Sequence, residues 1–202
     1  MKRYFFVLLA LVLTTACTNE PEGFIHSKGI GPVKIGMSIA ELPAQVEGLY
    51  DEIQKIDEEG YFDEFMGEEI PPRDKYLFKK MGEVIFMTEC EDGETQIEYL
   101  EALSPMLSHR GVCPGMSCKE VLQTEAKLHA GGYPESCEFV CYWLFPEPSI
   151  EAWGEGTILS NSGFSYFTQM DEDDLHNWTE PRTDFKAEYF TDEYRIQKIV
   201  IR

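Results

Sequence analysis

Cysteine is the residue type with the widest chemical scope in this 202-residue chain, at positions 17, 90, 113, 118, 137 and 141. Thiols can hold zinc, exchange electrons or cross-link. A structural zinc site favours close C-x-x-C pairs. Here Cys113 and Cys118 are spaced C-x4-C, and Cys137 and Cys141 C-x3-C. Redox exchange at Cys118, just inside an expected helix start where thiol pKa falls, lacks a C-x-x-C motif in a βαβ context. Cross-linking fits best. Glu135 to Phe145 alternates, with Cys137, Phe139, Cys141, Trp143 and Phe145 on one face of an expected strand. Four strand steps put the Cys137 and Cys141 Cα atoms ~13 Å apart, beyond the ~7 Å reach of a disulfide. The expectation is therefore that Cys137 and Cys141 pair with Cys113 or Cys118, in either connectivity, and that Cys90 is left over.

The other reactive side chains form no catalytic pattern. His26, His109, His129 and His176 lack metal-ligand spacing. Asp171, Asp173, Asp174 and His176 offer hard ligands for a divalent ion, but such loops are usually solvated. Glu89, Glu91, Asp92 and Glu94 fail the EF-hand template: with Gly93 sixth, the first and twelfth places fall on Thr88 and Tyr99. There is no Gly-x-Ser-x-Gly elbow, phosphate-cradling loop or dinucleotide fingerprint. Trp143, Trp153 and Trp178 have the chemistry to stack on sugars, though such aromatics more often pack inside a sheet. The expectation is a non-enzyme without metal or cofactor.

Seventeen basic residues against 37 acidic ones give a net charge of −20. That field repels nucleic acid and anionic lipid headgroups.

One heptapeptide organises the chain. Gly36-Met37-Ser38-Ile39-Ala40-Glu41-Leu42 returns as Gly115-Met116-Ser117-Cys118-Lys119-Glu120-Val121. In each copy Ser can accept from the N–H three residues on while Glu reaches back, a capping box. The spacing predicts helices over Ser38 to about Tyr50, with Pro43 as an awkward early residue, and from Ser117 to a stop at Gly131-Gly132. Residues 51–82 read as mostly irregular. A hairpin is expected around Asp92-Gly93. Further strands are expected over Ile150 to Leu159, Phe164 to Met170, Phe185 to Phe190 and Tyr194 to Ile201. The resulting expectation is an α+β fold of two tandem units, about 24–103 and 104–202, each a capped helix followed by antiparallel strands.

The N-terminus carries an address. Basic Lys2-Arg3 precedes an apolar run from Tyr4 to Leu13, too short to span a bilayer, closed by Thr14-Thr15-Ala16-Cys17. This ending resembles the lipobox of bacterial lipoproteins, with Thr14 where Leu is usual. The resemblance implies a signal peptide over 1–16, acylation of Cys17 and a short polar tether over 17–23. Thr18 after the cysteine implies the outer membrane, facing the periplasm or the surface. Glu20 and Glu22 faintly resemble the surface-export signals of Bacteroidetes lipoproteins.

The tandem heptapeptides look like those of the β-lactamase-inhibitor-protein fold, which repeats such a start in two helix-on-sheet units. The motif also resembles that of the small lipoprotein of the β-barrel assembly machine, and Ile30 to Ser38 resembles openings of uncharacterised Bacteroidetes lipoproteins. Those families bind proteins without catalysis. The implied role is a protein-binding or accessory module anchored to a membrane and paired with another envelope protein; the alternative is a surface glycan- or Ca²⁺-binding lipoprotein.

Overall fold

The computed structural model describes residues 25–63, 67–91, 95–133, 138–155, 160–170 and 180–202. Three short strands, β1 (Ile25–His26), β2 (Gly29–Ile30) and β3 (Val33–Lys34), form a small antiparallel sheet. Next come β4 (Glu52–Glu58) and a two-stranded arm, β5 (Tyr61–Asp63) with β6 (Glu68–Ile70). β7 (Arg73–Lys80), β8 (Glu83–Glu91) and β9 (Leu100–Ala102) follow. The later elements are α1 (Cys118–Val121), β10 (Lys127–Tyr133), β11 (Glu138–Leu144), β12 (Ile150–Glu155), α2 (Asn161–Thr168) and β13 (Arg195–Ile201). One antiparallel sheet of eight strands, in the order β10-β11-β12-β13-β9-β8-β7-β4, carries the fold.

That order corrects the α+β expectation. Strand makes up 45% of the structure and helix 12%, so the protein is mostly β. Both capping boxes nevertheless form. Glu41 reaches back to the Ser38 N–H and Glu120 to the Ser117 N–H, while each serine accepts a backbone N–H of its own turn. What fails is propagation. In the first copy a 3-10 turn (Ile39–Glu41) ends at Leu42, whose ψ of 127° is extended. Pro43 imposes that, because its ring disfavours helical geometry in the preceding residue. In the second copy the helix stops after one turn, where the Thr124 hydroxyl donates to the Val121 carbonyl. The expected helical remainder, Leu128 to Gly132, pairs instead with β11.

The heptapeptides serve as strand-docking devices. Gly36 N–H donates to Ile97 O at 2.7 Å, Ile97 N–H to Met37 O at 3.0 Å, and Ile39 N–H to Thr95 O at 2.8 Å. In the second copy Gly115 N–H donates to Ile196 O at 2.7 Å, Ile196 N–H to Met116 O at 2.9 Å, and Cys118 N–H to Tyr194 O at 3.0 Å. Bridges Ser38↔Gln96 and Ser117↔Arg195 complete the correspondence. The eight strands divide likewise into two meanders, β4-β7-β8-β9 and β10-β11-β12-β13, joined where their last strands pair. That seam pairs Leu100 with Ile201, Glu101 with Val200 and Ala102 with Ile199.

One row of side chains, one from each strand, forms the core face: Leu128, Trp143, Ala152, Ile199, Ala102, Phe86, Phe78 and Ile53 stand opposite one another in register. All but Ile53 are buried. Tyr50 covers one end, edge-on to Phe78 with ring centroids 5.1 Å apart, and Phe78 stacks on Phe86 at 4.1 Å. At the other end Phe190 lies against Trp143 at 5.9 Å. Fully burying one such side chain contributes about 1.5–3 kcal/mol. Residues 164–168, expected as strand, belong to α2, capped by Ser160 and burying Phe167. Around Phe185–Phe190 there is a 3-10 turn (Ala187–Tyr189) where strand was expected.

Gly154, at a β-bulge in β12, permits the closest packing. A Cβ there would stand 2.6 Å from Tyr194 Cε1, 3.1 Å from Cys118 Sγ and 3.1 Å from Trp143 Cζ3. The aromatic neighbours cannot swing aside within a packed core. Gly154→Ala is therefore expected to lower stability by about 1–3 kcal/mol, read as a lower urea midpoint at unchanged slope; an unchanged midpoint would mean the notch is looser than described.

Candidate functional site

Three groupings of polar and aromatic side chains stand out from the frame. The first is the arm between β4 and β7. Tyr61 and Phe62 are consecutive in β5, so the pleat sends them to opposite faces of a ribbon. Both are exposed, at 62% and 58%. The ribbon is pinned at its base. A Cβ on Gly60 would meet Ile70 O at 2.7 Å and Pro72 N at 2.9 Å, so glycine is what lets the returning Pro71-Pro72 segment lie this close. Gly60, Tyr61, Phe62, Glu69, Ile70, Pro71 and Pro72 line an open groove of about 440 Å³. Glu58, Glu59, Glu68 and Glu69 are exposed in the same stretch, so carboxylates neighbour the aromatic pair in the sequence.

The second grouping joins three loops. His109 is buried, with Nδ1 3.3 Å from Ile25 O and Nε2 3.1 Å from Glu147 Oε2. Arg110, held at a φ of 46°, donates to the same carboxylate through Nε at 2.9 Å and Nη2 at 2.6 Å, and its Nη1 bonds Glu125. Arg110 first, and His109 after it, hold the Glu147 carboxyl down to about 2 against the opposing effect of burial. This is a His–carboxylate pair, but its imidazole has no open side toward a substrate. Phe145 packs edge-on against the ring at 4.8 Å and the Ile25 carbonyl takes the other nitrogen. The arrangement is a clasp that fixes β1 to the loop after β11.

The third lies on the sheet face opposite the core. His129, Tyr142 and Trp153 stack across β10, β11 and β12, with centroids 5.3 and 5.1 Å apart. Trp153 Nε1 donates to Glu151 at 3.0 Å, and Lys198 reaches Glu101 at 2.5 Å. Towards β4, Lys75 bridges Glu58 and Glu89 at 2.7 and 3.0 Å, and the Tyr99 hydroxyl donates to Glu89 at 2.9 Å. Burial alone would raise the Glu89 pKa, yet the bonds from Lys75 and Tyr99 outweigh it and the carboxyl titrates low. The aromatic ladder spends its ring faces on itself, which leaves little flat surface for stacking a sugar.

The residues singled out by sequence fare unevenly. Cys17, Cys137, the hairpin tip 92–94 and the acidic loop 171–174 with His176 lie outside the described residues. Among the described residues no disulfide joins Cys113, Cys118 or Cys141. Cys118 and Cys141 are buried together beneath Gly154, whereas Cys113 is half-buried beside Glu120 and Cys90 donates to Gln96 O at 3.6 Å. Among the described residues no group of three or more His, Cys, Asp or Glu is placed to hold a metal ion, and no helix is long and apolar enough to cross a membrane. Sequence reasoning missed the arm, whose signal was two adjacent aromatics between Gly60 and Pro71-Pro72 in an otherwise acidic stretch. It also missed the His109–Arg110–Glu147 clasp, whose carboxylate lies 37 residues beyond Arg110.

No protein-family model and no curated protein matches the chain. Among solved structures, the crystal structure of the uncharacterized protein yfeY from Escherichia coli is similar at a TM-score of 0.41 and 14% identity, over 84% of this chain and 96% of that one. A likeness at that level carries no argument about function.

The clasp generates a pH prediction. Glu147 has a folded pKa below its ordinary 4.5, so its contribution is complete above 4.5 and is lost as pH falls towards about 2. Urea midpoints of the native chain and Glu147→Gln should differ at pH 6 and converge between pH 4.5 and 2; a gap that persists at pH 2 would contradict the clasp.

Proposed function

We propose that this chain is a non-enzymatic lipoprotein of the outer envelope, anchored through acylated Cys17, and that it acts as a protein-binding accessory module. The observation that carries the reading is the arm. Two large aromatic side chains stand on opposite faces of a two-stranded ribbon and are the most exposed aromatics among the described residues, ahead of Phe164. A two-stranded ribbon gains little stability by itself. Tyr and Phe exposed to water on a pinned scaffold suit insertion into an apolar groove, because aromatic anchors supply large contact area at low entropic cost.

The neighbouring carboxylates narrow the partner. Glu58, Glu59, Glu68 and Glu69 match a groove rimmed by Lys or Arg, and the chain's net charge of −20 would steer such a partner in. The lipid would confine the module to a membrane surface, where a modest intrinsic affinity suffices because local concentration is high. Diacylglycerol with an N-acyl chain exceeds the two-signal threshold for stable anchoring.

Chemical crosslinking of intact cells, followed by mass spectrometry, tests the reading. One dominant envelope protein is expected as the adduct, and the double variant Tyr61→Ser/Phe62→Ser should weaken its capture by more than about tenfold. The variant should keep its urea midpoint within about 0.5 kcal/mol, since both side chains are exposed. Capture undiminished in the variant would overturn the arm as the docking element. Saturable binding of a glycan or Ca²⁺ in calorimetry, with no protein adduct, would move the function to the alternative class. Separately, Cys17→Ser should shift the protein out of the membrane fraction; retention there would refute the anchor.

A further inference from the structure

Cys118 and Cys141 come from different elements and share one buried notch. Cys141, in β11, stands directly opposite Gly154 of β12, on the core face with Trp143. Antiparallel neighbours hold their Cβ positions about 4.5–5.5 Å apart. Cys118, the first residue of α1, enters over the same glycine, its Sγ 3.1 Å from where a Gly154 Cβ would be. Both thiols are therefore in the space that the missing side chain at position 154 leaves open, exposed by 0% and 1%. Tyr194 forms the third wall; its hydroxyl donates to Gly154 O at 3.1 Å, and its backbone carbonyl accepts the Cys118 N–H at 3.0 Å. Burial first, then each other's proximity or Tyr194's, governs the two thiols: Cys118 titrates well above the usual thiol range and Cys141 is pushed up to about 12. The other described cysteines face elsewhere, Cys113 toward Glu120 and Cys90 toward the Gln96 carbonyl.

We propose that Cys118 and Cys141 are the two partners of one structural disulfide, which staples α1 to β11 across Gly154. The cellular form of this inference rests on the export reading above, because disulfides persist in oxidising compartments. The oxidant is a protein or small-molecule disulfide, RSSR. A thiolate of one cysteine attacks RSSR, giving a mixed disulfide and RS⁻; the second cysteine's thiolate attacks the bonded protein sulfur and expels the other RS⁻. Two thiols become one S–S bond, RSSR is reduced to two RSH by the two electrons, and the two thiol protons end on RSH. Since neither sulfur is accessible in the folded core, exchange takes place before the notch closes.

The test uses the full chain carrying Cys113→Ser, since Cys113 and Cys118 share one tryptic peptide. Protein exported in a bacterial host is denatured in acid, alkylated with N-ethylmaleimide without reductant, digested with trypsin and Glu-C, and mapped by tandem mass spectrometry. In parallel the purified chain is refolded in a buffer of oxidised and reduced glutathione. The expected result in both arms is a linked pair of peptides holding Cys118 and Cys141, two hydrogens lighter than the separate thiols, with Cys90 alkylated. Reduction should lower Tm by roughly 6–12 °C, as expected for opening a loop of about two dozen residues in a chain this size. Alkylation of both cysteines in the refolded arm, or linkage of Cys141 to any other residue, overturns the pairing whatever the protein's address. A linked pair on refolding but free thiols in cells, together with an unacylated Cys17, upholds the pairing and refutes the export reading.

Discussion

Everything in this molecule depends on the pairing of β9 with β13. The seam is only three residue pairs long, Leu100 with Ile201, Glu101 with Val200 and Ala102 with Ile199, yet it merges two four-stranded meanders into one sheet. Each partner is the last strand of its meander, and the pairing is symmetric about Glu101 and Val200. Ile199 stands between Ala152 and Ala102, so one large side chain is flanked by two small ones where the meanders meet. The core row crosses this point without a break. Because β9 and β13 lie far apart in the sequence, their pairing carries the loop-closure cost of a long-range contact.

The heptapeptides solve a problem that the seam creates. β9 is short, so the rest of β13 would present unpaired N–H and C=O groups on that side. Residues 115–118 fill the gap, bonding Ile196 in both directions and accepting the chain reversal that follows. Residues 36–39 do the same beside Thr95 and Ile97. The Gly, the Ser and the Glu each have a task here: positive φ at Gly36 and Gly115, then a capped single turn that redirects the chain away from the sheet.

This explains which features were legible in the sequence. The capping boxes and the duplication are local or pattern-level facts, and both are plain in the residues. Helix length was misread because a capping box reports a start and says little about propagation, which Pro43 and the demand of β11 for a partner decide. β4 and β7 read as irregular because charges interrupt both faces: Lys55 and Asp74 share the face of Ile53, Tyr76 and Phe78, while Lys75 and Glu58 pair on the other. Phe164 and Tyr166 alternate as in a strand, but the cap at Ser160 and the burial of Phe167 favour the helix α2. The approach of Cys118 to Cys141 is among the pairings the strand spacing leaves open, but the notch at Gly154 and the Tyr194 wall had no sequence signal, since they form only through the tertiary fold. The arm had a faint one.

The functional account follows from a contrast in how aromatic residues are spent. Trp143, Phe78, Phe86 and Phe190 build the core, and Tyr142 and Trp153 stack on one another, whereas Tyr61 and Phe62 face water. A photo-activatable benzoyl-phenylalanine in place of Phe62, irradiated in intact cells, tests this most directly, with Met81 at the exposed β7–β8 turn as the control position. The account predicts one specific envelope-protein adduct from position 62 and none from position 81. Equal labelling from both positions, or none from either, would contradict it.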